Sequence, residues 1–554
     1  MSKEPNQFQT QKQLDTLSEV DFIVVGGGSA GCVLANRLSE DPKNIVALVE
    51  AGSSDINPSI HIPAGFINLM TNPSVNWMFS TLPQEGLCNR VVKMPRGKVL
   101  GGTSAINGML YVRGQAEDFD GWSNAGNTGW SFKDVLPYFK RSVQCQFEGA
   151  QPDSEYQGRS GEMYVSPPRT TYNVLDRFIS SAQNCGYNKN PDYNGAEQNG
   201  FAYFQLNQKD GLRHSSYRAF IGPVRNRRNL TIFSKTSVEN LCFSEDERTV
   251  TGVVVCHNSK RKILKARREV ILCAGAFGSP QLLELSGIGQ ANRLKSLGIT
   301  PRINLPAVGE NLADHFLTRL TFELTSADSL NTSLLGFGIL REVTKFLLNR
   351  NGALTMPAGI VGGFVASNIA RDNRADIQFH VAHASFSNPA KRIFDKFPAI
   401  SIGPCQLRPH SRGSSHIVSS DPYVAPEIDP RYLTEELDRS VLLEGIKIAR
   451  QIMATDPIKA IVKREVRPGG NFLDDDALLD FAKQTGNTVY HPVSTCRMGP
   501  LDQADHVLTP DLKVRGIDKL RIADASIMPT IVSGNTHAST MMIAEKASDL
   551  ILKK

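Results

Sequence analysis

"DFIVVGGGSAGCVLANRLSEDPKNIVALVEAG", from Asp21 to Gly52, is the stretch on which the fold reading turns. Phe22 to Val25 is a short apolar, β-rich run, the pattern of a buried parallel strand. Gly26-x-Gly28-x-x-Gly31 follows, and Ala30, Val33, Leu34 and Leu38 then recur at helical spacing, so a helix is expected to begin inside the glycine turn. A second strand is expected over Val46 to Val49, ending in Glu50. The first glycine permits the tight turn, the second lets backbone approach a pyrophosphate, and the third lets helix pack closely on strand. The helix N-terminus offers free N–H groups and a positive dipole end to that phosphate. Glu50 follows Gly31 by 19 residues, where a carboxylate can hold ribose hydroxyls. The unit reads as dinucleotide-binding, and it does not separate FAD from NAD, since both present the same adenosine diphosphate.

Size and composition bound the rest. A chain of 554 residues exceeds the roughly 250–300 residues at which single cores stop growing, so two domains are expected. With 40% hydrophobic and 21% charged residues the composition is that of a globular protein, and a net charge of +6 is too small for this length to argue for nucleic acid as a partner. No run of about 18 apolar residues appears, so no transmembrane segment is expected. The first twenty residues are polar and lack the apolar core of a secretory signal, so they read as a loose leader. Nine cysteines, an odd number without C-x-x-C, suit reduced thiols in a cytoplasm better than disulfides or zinc. A cytoplasmic location is expected, with room for peripheral association with an inner membrane. Asn229-Leu-Thr and Asn331-Thr-Ser match the glycosylation pattern but carry little weight without a signal peptide.

Three further stretches narrow the cofactor. "PRGKVLGGTSAINGMLYVRG", Pro95 to Gly114, holds the pair Gly101-Gly102 followed by Thr103, Ser104 and Asn107. "GAFGSPQLLELSGIG", Gly275 to Gly289, follows the strand-like Glu269 to Gly275 and places Ser279 and Pro280 as an N-cap and first residue of a helix. "LRIADASIMPTIVSGNTHASTMMIAEKASDLI" gives a strand into Asp524 and Ala525, a loop, and a final amphipathic helix. Through these stretches together the chain resembles the glucose–methanol–choline (GMC) family of FAD-dependent oxidoreductases, over nearly all of Asp21 to Ile551. Gly97 to Asn107 is similar to the family's first signature and Gly275 to Gly289 to its second. Within the family the text looks closest to bacterial alcohol and choline dehydrogenases.

The resemblance implies an α/β (α+β) architecture: a Rossmann-like FAD-binding domain and a substrate domain built on an antiparallel sheet backed by helices. The FAD domain would be discontinuous, from 1–160, 226–320 and 485–554, with 161–225 and 321–484 forming the substrate domain. The segment 395–435 agrees, reading as short strands with turn signals. The resemblance also implies FAD contacts from Gly26, Gly28, Ser29, Gly31, Glu50 and Ala51 to the adenosine diphosphate, and from the backbone of Val238 to the adenine. Gly101, Gly102, Thr103, Asn107, Gly108, Met109 and Leu110 would line the flavin, and Asp524, Ala525, Asn535 and Thr536 would complete the site.

"VYHPVSTCRMG", Val489 to Gly499, carries the chemistry question. Alone, His491 reads first as a satisfied core ring and only second as a proton carrier. In the family a histidine in such a segment faces the flavin, and a second polar residue on the loop before the last helix stands beside it. The expected catalytic pair is therefore His491 and His537. Relatives with a G-N-x-N-A pattern carry Asn at the second position, whereas here the loop reads Gly534-Asn535-Thr536-His537-Ala538. The expected chemistry is oxidation of a primary alcohol, neutral and partly apolar, aliphatic or aryl. A histidine would be general base, with hydride transfer to flavin N5 and reoxidation by oxygen or a quinone-like carrier. Choline-oxidising relatives place a glutamate where this chain has Ile360, which disfavours choline; Met356, Ile360 and Phe364 are candidate pocket residues or plain core. No metal is expected, since His61, His380, His383, His410 and His416 lack ligand spacing, and Cys405 and Cys496 read as small buried side chains. The same fold also serves FAD-containing lyases of the hydroxynitrile-lyase kind and a flavin photodecarboxylase, which stand as alternatives. Which histidine takes the proton, the oligomeric state and covalent FAD attachment are left open by the sequence.

Overall fold

The apolar run after Asp21 becomes the middle of a sheet. The computed structural model describes residues 16–147, 154–325, 329–334, 336–370, 372–388, 393–472 and 474–553, so most of the expected leader lies outside the described residues. Seven strands, β1 (Glu19–Val25), β2 (Val46–Val49), β3 (Leu230–Phe233), β4 (Thr236–Phe243), β5 (Val250–His257), β6 (Lys260–Leu272) and β7 (Leu520–Ile522), form one sheet. Its order is β3-β2-β1-β6-β5-β4, with β7 also paired to β6. β1, β2, β3, β7 and the second half of β6 run parallel, while β4, β5 and the first half of β6 make an antiparallel meander. The parallel part reads as continuous apolar text because it is covered on both faces, and all four residues of β2 are buried. The basic stretch Lys260 to Val270 is the more exposed part of β6, running into this core.

Helix α1 (Ser29–Leu38) opens in the glycine turn as expected and packs on the closing helix α3 (His537–Leu552). A buried ion network clamps the two. The Glu545 carboxylate, fully buried, accepts from Arg37 Nε at 2.9 Å and Nη2 at 2.7 Å and from Arg141 Nε at 2.6 Å, and Arg37 also pairs with Glu162. Between them in sequence, α2 (Gly275–Leu285) corrects one expectation. Ser279 and Pro280 do not start the helix; it begins at Gly275 and carries Pro280 inside it. A proline there leaves the carbonyl four residues back without its donor. That carbonyl, of Ala276, is satisfied instead by the Thr495 hydroxyl at 2.6 Å. Ser279 serves elsewhere, donating its hydroxyl to Asp524 Oδ2 at 2.6 Å.

A second, eight-stranded sheet is antiparallel throughout. Its order is Val462–Arg467, Leu320–Leu324, Ala399–Gln406, Ile377–Ala382, Val361–Val365, Gly200–Tyr203, with Phe316–Leu317 and Asn487–Thr488 paired at one corner. These corner strands come from residues that the sequence reading places in the FAD set. Period-two alternation sends Leu320, Phe322, Phe379, Val381, Ile400 and Ile402 into one apolar cluster. Helices Asn173–Asn184 and Glu436–Met453 complete that cluster. The opposite face carries Gln378 and His380 and turns toward the Val489 to Gly499 loop. The segment 395–435 does form short strands: Gly413–His416 pairs with Glu427–Asp429.

Candidate active site

The glycine turn has the local geometry its spacing predicts. Gly26 sits at φ +102°, and a Cβ on Gly31 would lie 1.9 Å from the Gly26 carbonyl, so only glycine lets α1 meet β1 this closely. Gly28 is the opposite case: a side chain there would meet nothing nearer than Gly102 Cα at 3.9 Å, so its missing side chain leaves open space at the helix start. Gly28 is also the N-cap and provides no side-chain cap, so the first-turn N–H groups that begin at Ser29 remain available to an anion. The second glycine pair is stitched to the first, since the Gly101 N–H donates to Gly27 O at 2.7 Å. Glu50 is buried behind them, ahead of Ala51, and its two oxygens accept from the N–H groups of Gly27 and Gly52, each at 2.8 Å. Burial pushes its carboxyl up to about 7 against the pull of those two donors.

The residues expected around the ring system gather at the same place. Thr103 Oγ1 accepts from Gly97 N–H at 3.2 Å, and Asn107 Oδ1 accepts from Met109 N–H at 3.0 Å and from Arg213 Nη1 at 2.8 Å. Gly108 lies against Ala358, while Met109 and Leu110 are buried. Asp524 joins the pieces, accepting from Gly275 N–H at 2.8 Å and Ser279 Oγ on one oxygen and from Ser526 N–H at 2.8 Å on the other; Ala525 follows it, and its carbonyl accepts from Ser494 N–H. Val238 is half-buried beside a register shift in β4. Several buried polar atoms here have no protein partner, among them Arg213 Nη2, His537 Nε2 and both amide atoms of Asn207. An open backbone cradle, an uncapped helix start and orphaned donors fit a dinucleotide carrying a polar ring system, which is what FAD would bring. Arg213 escaped the sequence reading because it belongs to no glycine motif.

The expected pairing of His491 with His537 is corrected. His491 Nε2 lies 3.0 Å from Asn535 Nδ2, and its Nδ1 lies 3.0 Å from Nδ1 of His315. His537 instead directs Nδ1 at Ser29 Oγ, 3.0 Å away, at the start of α1. The reason is local. Thr536 caps α3 and His537 is its first helical residue, so His537 faces α1, while Asn535 is still in the loop and faces the other way. Asn535, expected among the cofactor contacts, therefore occupies the place given to His537. Gln378 Nε2 holds it there by donating to Asn535 Oδ1 at 3.1 Å.

The protonation of His491 follows from its partners. His315 Nε2 lies 2.8 Å from the Leu407 carbonyl, which can only accept, so His315 carries its proton on Nε2. Burial pushes His315 down to about 4, so the ring is neutral and its Nδ1 is an acceptor. His491 must then donate from Nδ1, which leaves the Nε2 lone pair free to accept from Asn535. Burial first, then His315, His380 and Arg96, hold the His491 pKa well below the ordinary histidine value. The backbone is fixed as firmly. Asp314 accepts from His491 N–H at 2.7 Å, from His315 N–H at 2.9 Å and from Thr488 Oγ1 at 2.6 Å, and Tyr432 adds its hydroxyl. Tyr490 is held at φ +68°, with its N–H on Thr488 Oγ1 at 2.7 Å and its carbonyl on Arg96 Nη2 at 2.6 Å. Pro492 restricts His491 further.

Met356 and Ile360 pack into the apolar cluster under the second sheet, and Phe364 into a smaller one with Leu110, Tyr193 and Phe204. They are core residues. His315 and Gln378, which the sequence reading passed over, are the ones that touch His491 and Asn535.

Comparison with known proteins gives the family. Residues 20–317 match a family model described as GMC oxidoreductase, and residues 409–544 match the model of that family's C-terminal domain. An alcohol dehydrogenase [acceptor] of Pseudomonas putida is 39% identical over 539 residues, covering 96% of each chain. An oxygen-dependent choline dehydrogenase of Staphylococcus saprophyticus is 37% identical over 543 residues, covering 96% of this chain and 95% of its own. Among solved structures, a formate oxidase of Aspergillus oryzae RIB40 described for its FAD modification aligns with a TM-score of 0.89 at 26% identity, over 97% of this chain and 98% of its own. The chain belongs to the GMC oxidoreductase family, a family of FAD-dependent oxidoreductases.

Proposed function

We propose that the protein oxidises a primary alcohol to the aldehyde, with His491 as the proton acceptor and Asn535 as the donor that holds the alcohol oxygen. FAD, when bound, supplies the hydride acceptor at flavin N5. The alcohol oxygen would enter between the two side chains that now bond each other, donating its proton to His491 Nε2 and accepting from Asn535 Nδ2. As the O–H bond breaks, a bond forms from the proton to Nε2. The electron pair left on oxygen becomes the second C=O bond while the carbon gives up its hydride. Asn535 stabilises the alkoxide character that develops, and such a donor is worth about 10²–10³ in rate. His315 and Asp314 orient the base, and the depressed pKa of His491 keeps it neutral, hence able to accept, across the neutral range. His537 has another task in this reading: it borders the dinucleotide through Ser29. The observation that carries the proposal is the Nε2 lone pair of His491, fixed in tautomer and set 3.0 Å from a single amide donor. Ile360, buried at the position where choline oxidisers place a glutamate, supports a donor other than choline.

The test is anaerobic bleaching of the flavin by an alcohol in His491→Ala, Asn535→Ala and His537→Ala. The first two should retain FAD and lose bleaching rate; His537→Ala should lose FAD affinity first. If His491→Ala bleaches at the parent rate, or alcohols leave the parent flavin oxidised as a lyase would, the reading fails.

A further inference from the structure

The strand register brings an arginine to the substrate side of the site. Leu317 pairs with Cys405 and Leu320 with Ile402, so Arg319 stands opposite Gly403, and Gly403 pairs with His380 on the next strand. Arg319, in the gap between Phe316–Leu317 and Leu320–Leu324, falls in line with Gly403 and His380 across the sheet, and Gly403 puts no side chain between the other two, its bare Cα facing the Leu317 side chain. Their neighbours Leu320 and Ile402 point the other way, into the cluster under the helices. Gln378, two residues from His380 on the same strand, is on the same face as Arg319 and reaches Asn535. This face therefore looks at the proposed proton acceptor and its amide partner.

Arg319 makes no hydrogen bond or ion pair among the described residues, whereas the buried arginines Arg37, Arg113 and Arg213 are all tied to protein acceptors. The groups that share its field are Tyr490, Cys405 and His380, none of them a carboxylate. Its side chain is exposed, yet burial still lowers its pKa, and it in turn depresses His380, which burial already pushes down to about 3. Both hold for a side chain that opens into internal space rather than onto the outer surface, where a solvated arginine would need no partner. Two more polar atoms on this face have no protein partner: His380 Nε2 and Gln378 Oε1, and Gln378 is fully buried.

We propose that Arg319 holds an anionic group of the substrate, so that the donor is an alcohol that also carries a carboxylate, its CH–OH end lying at His491 and Asn535. This rests on the alcohol-oxidation reading above and replaces the neutral alcohol expected from the sequence. A guanidinium presents parallel N–H donors to two oxygens of one carboxylate. A singly charged group suits the row, because His380 is neutral and a phosphate dianion would keep an uncompensated charge in a desolvated place.

The test compares ω-hydroxy carboxylates of increasing chain length with their methyl esters, using the FAD-loaded protein and its Arg319→Met and Arg319→Lys variants. Flavin content and melting temperature confirm that each variant folds. At one chain length the acid should be favoured over its ester by about 10–100-fold in kcat/KM, chiefly through KM. That ratio should collapse in Arg319→Met and survive in part in Arg319→Lys. A carboxylate lacking the hydroxyl should perturb the flavin spectrum of the parent on binding, and not that of Arg319→Met. Equal rates for acids and esters in the parent, or a preference that survives Arg319→Met, would overturn the proposal. If no alcohol bleaches the flavin while the plain carboxylate binds in an Arg319-dependent way, the oxidation reading fails and the anion site stands.

Discussion

Replacing His315 by leucine removes the group that sets the tautomer of the proposed base. His491 then has a buried Nδ1–H with no acceptor, a penalty of about 1–3 kcal/mol, or roughly 5- to 150-fold in rate if the transition state bears it in full. The ring can escape by moving its proton to Nε2, where Asn535 already offers a hydrogen, and a base protonated there cannot take another. Either way the chemical step slows, and we expect His315→Leu to bleach the flavin about 10- to 100-fold more slowly under anaerobic stopped flow. Asparagine at the same position can accept through its amide oxygen and donate to the Leu407 carbonyl, so His315→Asn should recover part of that rate. A purely packing role would not separate the two variants. Parent-like bleaching in His315→Leu, with FAD content unchanged, would refute the tautomer reasoning, as would an asparagine variant no better than leucine.

Other outcomes follow from the same geometry. Because His491 is depressed well below the ordinary histidine pKa, its neutral form persists into acid, and kcat/KM should stay flat through neutral pH and fall only well below pH 6.5; a rise centred at or above that value would count against it. Burial alone would lower His416, but its hydrogen bonds to Glu284 (2.8 Å) and Glu310 (3.1 Å) outweigh it and raise the ring to about 9. A folded-state pKa above the unfolded one gives stability that is complete below pH ~6.5 and lost as pH climbs through 9, on the order of 3 kcal/mol; melting temperatures across pH 6–10 should show the decline, and His416→Gln should flatten it. Glu545→Ala removes the buried carboxylate that Arg37 and Arg141 share, leaving Arg141 on Asp549 and Arg37 on Glu162 and Glu40, so denaturant melts should lose about 1.5–3 kcal/mol. Gly31→Ala drives a methyl into the Gly26 carbonyl, and the protein should be recovered without flavin, read from its visible spectrum.

What the sequence disclosed was local in character. The strand, glycine turn, helix and second strand of Asp21 to Glu50 lie where their spacing puts them, because each interaction spans a few residues. His491 stood out for the same reason. Its partner did not: Asn535 and His537 are both polar and two apart, and only the start of α3 decides which one faces His491. His315 precedes His491 by 176 residues, a proximity that no local pattern encodes. The helix at Gly275 was misread because a proline inside a helix is normally a stop, and its tolerance here depends on a hydroxyl from a distant loop. Arg319 left one trace, a charge amid the apolar alternation of "FLTRLTFEL", whose meaning required the register of three strands.

The sheet that begins with β1 is finished only by β7, and α1 leans on α3 through Glu545. During synthesis the nucleotide cleft thus stays half-built until β7 and α3 have cleared the ribosome tunnel. Flavin capture therefore waits on β7 and α3, and a chain cut before them would emerge colourless however well its first fifty residues fold.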